Sequence, residues 1–151
     1  MNGLVHASAA IIGETGVLVR GASGSGKSRL VLALIAEAGL RGQFARLVGD
    51  DRVDLANAAG RLVVCPHPAI AGRIERRGQA IARLPHEPAA VVGLVVDLVA
   101  AVPRLPDGDE EALLLFGVRL ARLAIWQEAP AQEAAAAVFW ALQERPQGYK
   151  V

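Results

Sequence analysis

Apolar positions at the start of the chain follow first one period and then another. Residues 6–12, His6-Ala7-Ser8-Ala9-Ala10-Ile11-Ile12, alternate loosely toward a strand, Gly13-Glu14-Thr15-Gly16 carries turn chemistry, and Val17-Leu18-Val19 is a short apolar run. Together they predict a β-hairpin. From Lys27 the period lengthens: Leu30, Val31, Leu34, Ile35 and Ala38 fall at helical spacing, and Gly39 is the expected stop.

Strand-like patterning returns at residues 45–49, which run directly into Asp50-Asp51. Residues 52–55 and 61–65 flank the turn Asn57-Ala58-Ala59-Gly60 and predict a second hairpin. Pro66-His67-Pro68 interrupts the strands, and residues 69–81 read as a loop in which Arg73, Arg76 and Arg77 surround Glu75 near two glycines. Such a loop suits a phosphate or an acidic partner, although a solvated basic loop has the same composition.

After a connector at residues 83–88, residues 90–98 form the strongest buried-strand pattern in the chain. A polar, proline-marked loop follows at residues 102–110. Residues 113–116 and 118–125 carry the last strand and a turn toward the final helix, expected at 131–144 and ended by Pro146-Gln147-Gly148. Interleaved strands and helices predict one compact α/β domain over residues 1–151, with a mixed, hairpin-rich sheet, a core at about 6–125 and a helical tail at about 126–151. No internal repeat is present.

Composition narrows the picture. The chain has 151 residues, 53% of them hydrophobic but only 4% aromatic, so the core is built from Val, Leu, Ile and Ala. A net charge of +1 is too small for the clustered cationic footprint of a nucleic-acid binder, so no nucleic-acid partner is expected. Cys65 is the single cysteine, which leaves no disulfide framework, and it reads as a buried reduced thiol. The first residues lack the basic and apolar regions of a signal peptide, and residues 89–102 are broken by Asp97 and too short to span a bilayer. A cytoplasmic protein without a membrane partner is expected. His67 and His86, each beside prolines, carry no assigned chemistry.

The candidate chemistry lies between the first hairpin and the first helix. Gly21, Ala22, Ser23, Gly24, Ser25, Gly26, Lys27 and Ser28 spell G-x-x-x-x-G-K-S, preceded by a strand and followed by a helix. Glycines let successive N–H groups turn inward to phosphate oxygens, and the helix adds its positive end. Lys27 would reach the β- and γ-phosphates, and the Ser28 hydroxyl a Mg²⁺ position. Asp50 and Asp51, downstream at a strand end, stand where phosphoryl-transfer proteins hold Mg²⁺ or activate a nucleophile, though acid pairs also occur in turns.

Four stretches in order carry a family resemblance: the His6 segment, the phosphate loop, Leu47-Val48-Gly49-Asp50-Asp51-Arg52-Val53, and Glu75-Arg76-Arg77-Gly78-Gln79-Ala80-Ile81. The chain resembles the catalytic domain of HPr kinase/phosphorylase over residues 6–125. The fold this implies is the HPr kinase catalytic, PEP carboxykinase-like fold. The activity it implies is phosphorylation of a serine on an HPr-type phosphocarrier protein with ATP and Mg²⁺, with a reverse reaction using inorganic phosphate, in a homo-oligomer that is a hexamer in the family. By the same resemblance Asp51 is the proton acceptor and donor, with Asp50 beside it as a further catalytic candidate, and the Mg²⁺ ligands are Ser28, Glu75 and Asp51. His6 and Arg104 match catalytic residues, and Lys27 holds phosphate. Arg77 and Gly78 belong to the loop that meets the partner, and Arg119 and Arg122 to a basic segment tied to dephosphorylation.

The chain departs from that family at Ala80 and Ala121, where glycines are usual, and in short connectors near Pro85 and Pro106. Beyond Trp126 its ending is unlike the family's. A nucleotide-sensing module without phosphotransfer is the competing reading. A small-molecule P-loop kinase is a third, but its usual arginine-bearing lid has no helical insertion to carry it.

Overall fold

Val17, Leu18 and Val19 point in turn to two different layers, and that alternation organises the molecule. The computed structural model describes residues 2–75, 80–102 and 112–144. β3 (Thr15–Arg20) pairs in parallel with β9 (Ala90–Val99), and β9 pairs in parallel with β11 (Val118–Trp126). β2 (Ser8–Ile12) lies antiparallel to β3 on one side and to β4 (Ala45–Gly49) on the other, while β10 (Ala112–Leu115) forms a hairpin with β11.

β9 belongs to two layers at once. Its first residues pair antiparallel with β6 (Arg61–Pro66), through Val63 with Val91 and Val64 with Ala90. β6 pairs with β5 (Val53–Ala58), and β5 with β1 (Asn2–Val5). The long apolar run of β9 follows from this, since a strand covered on both faces has no polar face to show.

Two cores result. Val17 and Val19 join Leu94, Val96 and the buried faces of α1 (Lys27–Leu40) and α2 (Ala131–Gln143). Leu18 and Val95 point the other way, onto Val53, Leu55, Leu62 and Val64 of the β5–β6 hairpin. Successive strand residues face opposite sides, so one three-residue run supplies both cores.

The two expected hairpins are present at β2–β3 and β5–β6. Other elements differ from the sequence reading. α1 passes through Gly39 to Leu40, and the left-handed turn falls at Gly42 (φ 68°), because the Arg41 N–H still bonds the Glu37 carbonyl and delays the break. The loop around Glu75 contains a short antiparallel ladder of β7 (Arg73–Glu75) and β8 (Ile81–Arg83), whose pairing no local pattern announces. The last strand region is a hairpin, turning at Phe116-Gly117. Cys65 is a free thiol, partly rather than fully buried, since it occupies β6 at a position facing away from the second core.

α2 docks into the first core through Val138 and Phe139, so the C-terminal helix is a core element. Pro106 and Pro146-Gln147-Gly148 lie outside the described residues. No helix among the described residues is long and apolar enough to cross a membrane.

Candidate active site

The phosphate loop leaves the carboxyl end of β3 and enters α1. Gly26 caps the helix with φ 101°, a conformation that only glycine takes without strain. No side chain caps the helix start, so its first N–H groups aim back toward the loop. Gly21 is required for a different reason: a Cβ there would meet Ser25 Oγ at 2.4 Å and Leu98 Cβ at 3.1 Å. Lys27 is only 8% exposed, and its ammonium donates to the carbonyls of Gly21 (3.1 Å) and Ala22 (3.2 Å), tying the loop across its own mouth. Ala22, Ser23 and Gly24 remain exposed, whereas Ser25 is buried with its hydroxyl unpartnered among the described residues.

β4 delivers the acid pair to this loop. Asp50 is 5% exposed, and its Oδ1 accepts hydrogen bonds from the hydroxyls of Ser28 (2.6 Å) and Ser8 (2.7 Å). The backbone N–H of Glu75 approaches its Oδ2 at 3.4 Å, which brings β7 to the same carboxylate. Ser8 Oγ in turn accepts from the N–H of Asp51 at 3.1 Å. Hydroxyl and amide donors stabilise a carboxylate in its burial.

Asp51 has the opposite environment. It is exposed, its backbone is left-handed at φ 67°, and among the described residues its carboxylate accepts no hydrogen bond. A non-glycine residue held at positive φ stores strain of about 1–3 kcal/mol, and here the Ser8 hydrogen bond helps to hold it. The two adjacent acids are thus separated in role by geometry: Asp50 is buried and structurally bound to Ser28, while Asp51 is presented to solvent beside it.

The remaining sequence-derived candidates distribute as follows. Ser28 reaches Asp50 through its side chain and Glu75 through its backbone N–H alone. His6 is exposed at the bend between β1 and β2 and makes no hydrogen bond among the described residues. Arg119 is exposed on β11 opposite Leu114, also without a partner among the described residues. Arg77, Gly78 and Arg104 lie outside the described residues.

Arg122 is engaged in a cluster that sequence reasoning missed. Its Nε donates to Asp97 Oδ2 at 2.5 Å, and Arg20 clamps the same carboxylate through Nε to Oδ1 (2.7 Å) and Nη2 to Oδ2 (2.8 Å). Burial pushes the Asp97 pKa up, but hydrogen bonds from Arg20 and Arg122 outweigh it and hold the carboxyl below its ordinary value. The hydrogen bond to Asp97 raises the Arg20 pKa, with burial opposing it. Ser8 was missed as well; its only sequence signal is a hydroxyl in an alanine run.

Among the described residues no group of three or more His, Cys, Asp or Glu could hold a metal by itself. The donor set of Ser28 hydroxyl and Asp50 carboxylate, with Asp51 next in the chain, fits Mg²⁺, which binds through one or two carboxylates and takes further oxygens from phosphates and water.

No protein-family model matches the chain. The HPr kinase/phosphorylase of Mycoplasma mycoides subsp. mycoides SC is 41% identical to it over 76 residues, which are 50% of this chain and 22% of that protein. The matched part thus spans about a fifth of the length of the curated relative. The structure of the HPr(Ser) kinase/phosphatase from Coxiella burnetii superposes with a TM-score of 0.75 over 94% of this chain and 97% of that one, at 24% identity. The fold is therefore the one expected from the resemblance. The chain is thus similar over half its length to one HPr kinase/phosphorylase in sequence, and similar over nearly all of its length to an HPr(Ser) kinase/phosphatase in fold.

Proposed function

We propose that this protein is an ATP-dependent protein serine kinase that phosphorylates an HPr-type phosphocarrier protein. The observation that carries the reading is the division of the acid pair: a buried Asp50 bonded to the phosphate-loop Ser28, and an exposed, strained Asp51 immediately next to it. In-line phosphoryl transfer needs the donor nucleotide gripped and a base free to reach an incoming hydroxyl. One acid serves each need.

The loop N–H groups and Lys27 bind the nucleotide phosphates. Ser28 and Asp50, with Glu75 nearby, are the residues that would hold Mg²⁺, which supplies charge neutralisation on the phosphates when bound. Asp51 accepts the proton of the acceptor serine as its oxygen attacks the γ-phosphorus and the bond to the β-phosphate bridging oxygen breaks. In the reverse direction an oxygen of inorganic phosphate attacks phosphoserine, the serine oxygen leaves with the proton returned by Asp51, and pyrophosphate forms. Arg119 and the Arg122 held by Asp97 are the described cations suited to the incoming phosphate. We assign His6 and Arg104 to the same site, Arg77 and Gly78 to the partner's docking loop, and a homo-oligomer as the working assembly, all by family resemblance.

The test is incubation with ATP, Mg²⁺ and the phosphocarrier of the same cell. One phosphate on a carrier serine by mass spectrometry is expected, with Asp51→Asn lowering the rate about 10²–10⁴-fold at unchanged ATP affinity. ATP binding with no phosphoserine would instead identify a nucleotide-sensing module.

A further inference from the structure

A cavity of about 100 Å³ opens between the phosphate loop and the start of α2, several times the roughly 10–15 Å³ that one water needs. Gly24, Ser25 and Gly26 form its loop side, Arg29 lines it from the first turn of α1, and Trp126 and Gln127 bound it where β11 ends. The cavity therefore shares three residues with the loop read above as a phosphate site. A ligand lodged in it lies one short tether from phosphates held by that loop.

The lining is that of a site for a flat polar ring. Trp126 keeps 37% of its surface exposed, although it is a large aromatic at the end of a core strand. Among the described residues the Gln127 side-chain amide and the Arg29 guanidinium have no hydrogen-bond or ion-pair partner, and the buried Ser25 hydroxyl has none. A carboxamide offers a donor and an acceptor side by side, the pattern that reads a base edge. An indole offers a face on which a base stacks. Arg29, one residue past Ser28, adds positive charge to the cavity wall.

We propose that this cavity is the base subsite of the nucleotide, taking a purine ring against Trp126 with its edge toward Gln127. The assignment rests on the reading of Gly21 to Ser28 as a nucleotide phosphate site. It gives a role to the junction of β11 and α2, which completes the nucleotide site.

The experiment separates base from phosphate by using ADP and inorganic tripolyphosphate as probes, each with Mg²⁺. The chain has two tryptophans, so Trp140→Phe, at a 66% exposed position, leaves Trp126 as the sole indole, read by excitation at its red edge. ADP is expected to quench it and tripolyphosphate to leave it unchanged. By calorimetry, Trp126→Ala is expected to weaken ADP binding about tenfold, ~1.4 kcal/mol, with tripolyphosphate affinity retained. Ala131→Leu, which fills the cavity from the first residue of α2, gives the same result if the base lies there, and it decides the matter should Trp126→Ala lose both ligands through misfolding. ADP affinity untouched by Ala131→Leu, with tripolyphosphate still bound, overturns the subsite and leaves the phosphate reading intact. Failure of the unaltered protein to bind either probe overturns both.

Discussion

Ser8 is flanked by alanines in β2 and has no exposed surface, yet it connects both acids of the candidate site. Its hydroxyl proton goes to Asp50 and its lone pair to the Asp51 N–H, so it fixes the buried acid and the backbone of the exposed one together. Ser8→Ala is expected to cost about 1–3 kcal/mol, because a buried carboxylate oxygen loses a donor and an amide loses its acceptor. A urea unfolding midpoint reads that loss. The variant should also lower kcat more than it raises KM for ATP, since Asp51 is displaced while the phosphate loop is not touched. The phosphate loop and the acid pair were legible in the sequence as fixed spacings of chemically distinctive residues. Ser8 was not, since a serine in an apolar strand looks the same whether or not a carboxylate lies 42 residues away.

At the scale of elements, three parallel strands end together. Arg20 closes β3 and pairs across the ladder with Asp97 of β9, while Arg122 on β11 lies two residues before Ala124, the other neighbour of Asp97. All three side chains emerge on one face, and one carboxylate accepts from two guanidiniums. The folded-state pKa of Asp97 lies below its ordinary value of 3.8. The stabilisation is therefore complete above that ordinary value and is lost as pH falls through the folded value. Asp97→Asn leaves two arginines without their anion and is expected to cost about 2–3 kcal/mol at pH 7, less than a fully buried pair because both arginines reach solvent. Thermal unfolding across the acid range should show the two proteins converging as pH drops below 3.8. β9 itself was evident from its apolar run, in which Asp97 read only as an interruption. Its partners depend on register, which strand patterning along one segment does not state.

At the scale of the whole molecule, the C-terminal helix and the first helix share one core. Phe139 is almost wholly buried there, with the Arg41 guanidinium 4.4 Å from its ring centre. Phe139→Ala is expected to destabilise the protein by about 3–5 kcal/mol, through lost apolar transfer and the cavity left behind. A fall of only a few tenths of that in chemical denaturation would mark α2 as a loosely attached tail.

The sequence by itself determined the elements whose signal is local: the two hairpins around their turns, the helical period after Lys27, the length of β9 and the phosphate loop. Each rests on a preference that a few neighbouring residues express without help. Tertiary structure decided everything that required two distant segments to meet. It placed β1 beside β5, joined β7 to β8, split β9 between two layers, and brought Ser8, Ser28 and Glu75 to Asp50. It also separated the acid pair, burying Asp50 and leaving Asp51 exposed. Two adjacent aspartates are chemically identical in a sequence, and only the packing of β2, α1 and β7 around one of them makes them different.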